Sequence, residues 1–242
     1  LDFSILYKDK DTTLEAWRVN TRKNRLTIKP LIQYEDKLIF APETLSSAID
    51  RVAQAIINGG WPYFIEGSLP GDLEKELSRV RGRLDKKFET FLFDELKKIT
   101  LLCEKNICSS NINDKCFENI TEKCPGEVDC FSLHPDKKIA FVWEAKNLVS
   151  KYGSREVVGD VQEFVEEKGY INKLNSKTNY VQRNLKEILK YYNIQDDPVM
   201  WKVVQCVVLS SSSLVKDILK QKVNIINFSK ISEFIENQIF QK

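Results

Sequence analysis

The segments Gly126-Glu127-Val128-Asp129 and Ile139-Ala140-Phe141-Val142-Trp143-Glu144-Ala145-Lys146 decide how this chain is read. The second is apolar from Ile139 to Trp143 and then ends in an acid and a base. Side chains alternate faces along a strand, so residues two apart share a face. Glu144 and Lys146 are such a pair, as are Glu127 and Asp129. Two strands joined by a turn at His134-Pro135-Asp136 would bring Asp129 together with Glu144 and Lys146. Charge at the end of a buried strand is costly unless something compensates it.

The flanking pattern supplies the rest of a domain. After Leu69-Pro70-Gly71, the residues Leu73, Leu77, Val80, Leu84, Phe88, Phe91 and Leu92 mark the buried stripe of a long helix, which Leu96 and Ile99 extend. Glu89 sits on that helix at the border of the apolar face. Downstream, Val157, Val161, Phe164 and Val165 predict one helix, which also carries Gln162. Val181, Leu185, Ile188, Leu189 and Tyr192 predict a second. Residues 202–209 are largely apolar and predict a central strand. Residues 223–226 predict a further strand, and Ile231, Phe234, Ile235 and Ile239 a closing helix. This order implies an α/β fold, a mixed central sheet flanked by helices.

Residues 1–70 read as a small α+β appendage, an accessory subdomain before the main domain at 71–242. Strands are expected at 25–29 and 37–40. A helix follows on Leu45, Ala48, Ile49, Val52, Ala53, Ile56 and Ile57, opened by Pro42 and stopped by Gly59-Gly60. Residues 103–125 read as a cysteine-containing connection rich in Asn and Ser, long enough to have structure or function of its own.

Bulk properties exclude some classes. The chain's 242 residues are 42% hydrophobic and 30% charged, as in a folded soluble protein. The net charge of +2 means that a nucleic-acid surface would have to be local. Three basic stretches qualify: Arg18 to Lys29, Arg79 to Lys87, and Lys168 to Lys190 with Lys173, Lys177, Arg183 and Lys186. Each alone reads as a solvated face. No apolar run is long enough to span a membrane, and the start, at Leu1, has no secretion signal, so a cytoplasmic protein without membrane partners is expected. Its thiols are then expected to be reduced. The spacing of Cys103, Cys108, Cys116 and Cys124 is irregular for a zinc site, while Cys130 and Cys206 read as buried thiols in strands.

Hard divalent cations take one or two carboxylates together with waters and phosphate oxygens. Asp129 and Glu144 are the candidate ligands, with a backbone carbonyl near Ala145 and with Glu89 for a second ion or for the metal's waters. Lys146 could orient a water, stabilise developing charge, or act as base if its pKa is lowered. Gln162 could meet the attacking water or a backbone phosphate. Acid-x-Lys recurs at Glu35/Lys37, Asp85/Lys87, Glu95/Lys97, Asp136/Lys138 and Glu166/Lys168, but only Glu144/Lys146 ends an apolar strand. The competing reading of the same residues is a buried ion pair between Glu144 and Lys146, kept for geometry.

From about residue 84 to 240, this arrangement resembles the PD-(D/E)xK nuclease superfamily. There a helix bearing a glutamate precedes a hairpin bearing Asp and then Glu/Asp-x-Lys. The matching positions are Glu89, Asp129, Glu144 and Lys146, and Gln162 resembles a glutamine that some branches place after the lysine. The resemblance implies a restriction-endonuclease-like fold and hydrolysis of DNA phosphodiesters with Mg2+ or Mn2+. It implies metal ligands at Asp129, Glu144 and Glu89, and partners among DNA, a second copy of the chain, and other domains or subunits of a restriction or phage-defence complex. Two alternatives stay open: an inactive nuclease-like fold that binds nucleic acid or assists assembly, and an RNA-cleaving enzyme of the same fold.

Overall fold

The computed structural model describes residues 7–8, 31–34, 36–60, 71–100, 102–107, 120, 122–148, 154–220 and 222–240. The chain divides into two compact units, Leu1–Leu84 and Asp85–Lys242. This division falls later than the 70/71 boundary expected from the sequence.

In the first unit, β1 (Tyr7–Lys8), β2 (Leu31–Tyr34) and β3 (Lys37–Ile39) form a sheet in that order. β1 runs parallel to β2, and β3 antiparallel to it. The strand expected at 25–29 lies outside the described residues. Helix α1 (Pro42–Ile57) has proline in its first turn, where a missing N–H costs nothing. After α1 the chain turns at Gly59, whose φ is +71°. A Cβ there would stand 2.5 Å from the backbone nitrogen of Arg81 and 2.8 Å from the carbonyl oxygen of Leu77. Both belong to helix α2 (Gly71–Ile99). This backbone-to-backbone approach ties the end of α1 to residues 77–81 of α2.

The second unit is a mixed α/β structure built on a five-stranded sheet of order β4-β5-β6-β7-β8. The strands are β4 (Leu102–Ile107), β5 (Val128–His134), β6 (Ile139–Lys146), β7 (Lys202–Leu209) and β8 (Asn224–Asn227). The first three are antiparallel, and β6, β7 and β8 are parallel. β5 and β6 form the expected hairpin, closed by a 3-10 turn at Pro135–Lys137 and by Lys138 at φ 54°. The helices are α3 (Ser154–Val165), α4 (Tyr170–Arg183), α5 (Leu185–Tyr191), α6 (Val215–Leu219) and α7 (Ile231–Phe240).

Helices cover both faces of the sheet. On one face Phe131, Leu133, Ala140 and Val142 pack with Phe164, Leu174, Val181, Leu185, Ile188 and Leu189. On the other, Phe141, Trp143, Cys206 and Val208 pack with Phe88, Leu92 and Leu96 of α2 and with Ile231 and Ile235 of α7. Trp143 is fully buried and satisfies its indole N–H on the hydroxyl of Ser132 at 2.9 Å. β6 is thus the middle strand, buried on both faces up to Ala145.

Four details depart from the sequence reading. Residues 102–107, expected to begin a connection, form edge strand β4. Its Glu104 and Lys105 break an apolar pattern that an edge strand does not need, and Asn106 at φ 54° interrupts the alternation. The second predicted helix, on Val181 to Tyr192, spans the break at Asn184 between α4 and α5, and α4 begins well before that pattern, at Tyr170. The short helix α6 was not expected. Cys124 is disulfide-bonded, contrary to the expectation of reduced thiols throughout, while Cys103, Cys130 and Cys206 are free. Cys108 and Cys116 lie outside the described residues. Among the described residues, no helix is long and apolar enough to cross a membrane.

Gly59→Ala is expected to lower the stability of the chain by about 1–3 kcal/mol, the usual cost of a side chain held at positive φ, and by more where Arg81 cannot retreat. Urea unfolding of the variant beside the wild type measures it, and an unchanged midpoint would contradict the close approach.

Candidate active site

β6 carries its alternation past the apolar core into charge. Ala140 and Val142 face the layer of α3, α4 and α5, and Glu144 and Lys146 continue on that face. Glu144 is only 4% exposed. Its carboxylate is held from two sides. Lys146 Nζ lies 2.7 Å from Oε1, and Lys177 Nζ, reaching in from α4, donates to Oε2 at 2.5 Å. Lys177 is itself only 8% exposed.

The hairpin register brings the second acid. Cys130 pairs with Trp143, so the next step along the two strands sets Asp129 opposite Glu144. Asp129 Oδ2 accepts the backbone N–H of Ala145 at 2.7 Å. Like charges directly across a sheet repel. Burial, and then the charge of Glu144, push the Asp129 acid up to about 7, against the downward pull of Lys177, Lys146 and the Ala145 N–H. Glu144 moves the other way: burial opposes its ionisation, but Lys146 and Lys177 outweigh it and hold the group below the usual carboxylate range. Lys146 is held above its ordinary value. Burial opposes its charge, but Glu144 and Asp129 prevail. As these groups stand, Lys146 is a fixed cation and not a base. Its ammonium also lies 4.4 Å from the ring centroid of Tyr170, a cation–π contact that orients it.

Glu89 comes from α2. It is half-buried and its acid is raised, first by burial and then by Glu127 and Asp85, with Lys146 lowering it and Glu144 raising it further. It therefore feels the same charges as the hairpin residues. The exit of β6 is pinned beside these groups. Ser210 N–H donates to the carbonyl of Lys146 at 3.1 Å, and the hydroxyls of Ser210 and Ser211 donate to the carbonyl of Leu148 at 3.2 and 2.5 Å. Asn147 Nδ2 donates to Asp85 Oδ1 at 3.3 Å.

Asp129, Glu144 and Lys146 thus stand together, with Glu89 in their field. Gln162 does not join them: it is exposed on α3 and makes no hydrogen bond to these groups. An exposed position on that helix is what its place beside Val161 allows. Lys168 is exposed as well, and Glu127 is exposed and acts only through the field on Glu89. Lys177 was missed. It had been counted in a solvated basic stretch, yet Leu174, Lys177 and Val181 follow the spacing of a buried helical stripe, and all three are buried. A lysine on such a stripe needs an acid to meet it.

The donor set can be tested against a divalent cation. The carboxylates are hard oxygen ligands, and burial together with the charge of Glu144 makes the ionised form of Asp129 costly without a positive charge beside it. Among the described residues, no three acidic, histidine or cysteine side chains cluster closely enough to cage an ion. Two carboxylates, Asp129 and Glu144, are the number that an ion of the Mg2+ type takes when water and substrate oxygens complete its shell.

No family model, curated protein or solved structure matches this chain.

The opposite shifts of two neighbouring acids give opposite mutational outcomes. Between pH 4 and about 7 the native chain keeps a proton on Asp129 that the unfolded chain has released, so its contribution to stability falls as pH rises through that window. Asp129→Asn removes the penalty while Asn can still accept from Ala145. It is expected to stabilise the metal-free protein at pH 8 by about 2 kcal/mol and by little at pH 4. Glu144→Gln strands two ammonium groups and is expected to cost about 3–5 kcal/mol at pH 8. Urea titrations of both variants at the two pH values measure this, and a destabilised Asp129→Asn at pH 8 would contradict it.

Proposed function

We propose that this chain is a metal-dependent DNA endonuclease of the PD-(D/E)xK kind, with a restriction-endonuclease-like fold in its second unit. The observation that carries the proposal is a buried carboxylate, Glu144, shared by two lysines and set across a hairpin from a second acid, Asp129, at the carboxyl end of the middle strand. Open α/β sheets bind ligands beyond the carboxyl ends of their strands.

In this reading Asp129 and Glu144 hold Mg2+ or Mn2+, with Glu89 ligating a second ion or fixing coordinated water. The ion, when bound, polarises the scissile phosphate and lowers the pKa of a bound water. The chain's own groups do the remaining work. Lys146, kept protonated by its two acids and aimed by Tyr170, presents a fixed positive charge to the developing negative charge on phosphorus oxygens. Glu89, with its raised acid, is suited to hold or pass a proton at the edge of the site. Gln162 is given no part among the reacting groups, and its exposure leaves it only a contact with substrate backbone. Cutting both strands of a duplex calls for two such sites, hence a homodimer or a larger restriction or defence assembly. The cytoplasm is the natural setting for this activity, and the Cys124 disulfide is the one feature that setting does not favour.

A second reading has an observation of its own. Both oxygens of Glu144 already engage an ammonium, which is how a closed, purely structural ion cluster would look. In that case the fold binds nucleic acid or assists assembly without cutting.

Supercoiled plasmid in Mg2+ or Mn2+ separates the two. Wild type is expected to nick it, and Asp129→Ala and Lys146→Ala, checked for folding by circular dichroism, to lose at least about 100-fold in rate. Salt-sensitive DNA binding without cleavage in either ion would favour the second reading, and undiminished cleavage by both variants would discard the first.

A further inference from the structure

Lys177 is the group in the cluster that the nuclease reading does not use. Its side chain leaves α4 on the buried stripe, with its stem beside Gly126, where a Cβ would stand 3.7 Å from Lys177 Cε, and with its ammonium on Glu144 Oε2 at 2.5 Å. A lysine loses much side-chain entropy when held this way, and its charge loses water. Packing alone would be served as well by methionine or leucine at that stripe position.

A carboxylate has about four lone-pair sites. Lys146 on Oε1 and Lys177 on Oε2 occupy one on each oxygen and fix the plane of the group from opposite ends. Either lysine alone would leave the carboxyl free to turn about its last bond. The two ammonium charges also balance the two carboxylate charges of Glu144 and Asp129, so that the four-residue centre is neutral when Asp129 is ionised.

We propose that Lys177 is a positioning residue of the catalytic centre, which locks the plane of Glu144 for metal ligation and sets the charge that an incoming divalent ion meets. The proposal rests on the nuclease reading and assigns a residue that the acid-x-lysine motif does not contain. It has a split consequence. At a pH high enough to keep Asp129 ionised, removing the Lys177 charge leaves the centre one unit more negative, so a divalent ion binds more tightly. Removing the lock lets Glu144 turn, so each bound ion is used less well. A residue that merely supported the fold would weaken binding and turnover together or leave both alone.

The experiment compares wild type, Lys177→Met and Lys177→Arg. Mn2+ binding is followed by electron paramagnetic resonance in the absence of DNA, and plasmid nicking is followed at saturating Mn2+. Lys177→Met is expected to bind Mn2+ about tenfold more tightly and to nick at least tenfold more slowly. Lys177→Arg, which keeps the charge and a donor for Oε2, is expected to bind Mn2+ within about twofold of wild type and to recover part of the rate. If Lys177→Met does not fold by circular dichroism, Lys177→Gln takes its place with the same expectation for Mn2+. Unchanged or weaker Mn2+ binding by the neutral variant overturns the proposal whatever its rate, and so does tighter binding with undiminished nicking. A wild type that binds no Mn2+ overturns the nuclease reading itself, and that failure is told apart because it is seen before any substitution at position 177.

Discussion

The Glu144 carboxylate, taken out of water on the middle strand and gripped by two ammonium groups, is the constraint on which the rest of the second unit depends. An ionised carboxylate in the interior is costly by several kcal/mol unless it is paired and hydrogen-bonded on both oxygens. Each neighbouring element answers part of that demand. β6 supplies Lys146 two residues on, where alternation guarantees the same face. α4 is laid against the sheet so that Lys177 meets the other oxygen, and a bond of 2.8 Å from Gln205 of β7 to Asn175 of α4 ties that helix in place. The packed layers of Phe141, Trp143, Val142 and Ala140 deny β6 any freedom to slip, since a shift by one residue would turn the charges into the α2 and α7 layer.

Asp129 makes the cluster more than a stable ion pair. A fold seeking only stability would not set a second acid across the hairpin from Glu144, where burial and repulsion raise its proton affinity to about 7. Adjacent acids driven in opposite directions are the arrangement from which acid, base and ligand roles are usually made. Under the nuclease reading, the stability forgone at Asp129 above neutral pH is of the kind that functional sites carry, and a bound divalent ion would return it.

Much of this was legible in the sequence because the hairpin obeys a period of two. Glu144 and Lys146 sharing a face, the turn at Pro135, the buried run from Ile139 to Trp143, and the interior position of residues 202–209 all follow from alternation and apolar content. What escaped detection did so for physical reasons. β4 is an edge strand whose Glu104 and Lys105 are compatible with solvent, so its pattern is that of a loop. The join at Asn184 carries neither glycine nor proline, so α4 and α5 read as one helix. Lys177 lies on a stripe of period 3.6, but lysine at such a position is counted as surface until an acid in another element is known to face it. Gln162 illustrates the converse. A residue type in a familiar place says nothing about which way the helix presents it, and α3 presents this one to solvent.

The cluster is also polarised across the strand ends. Near α2 stand Glu89 and Asp85, which the helix carries, and Glu127, and the last two raise the acid of Glu89. On the side of α4 stand Lys177, Tyr170 and the exposed Lys173, whose ammonium lies 6.0 Å from the Tyr170 ring centroid. Lys146 is placed between the two, with Glu144 on one hand and the Tyr170 ring on the other. Under the nuclease reading this division has a direct use. A divalent ion and a phosphodiester must meet at a point where the acids that would hold the ion do not repel the substrate. With Glu89 and Asp85 on α2, Lys177 on α4, and Asp129, Glu144 and Lys146 on the hairpin strands, the groups that would meet ion and phosphate stand in one fixed geometry, which leaves little electrostatic reorganisation for the moment of reaction.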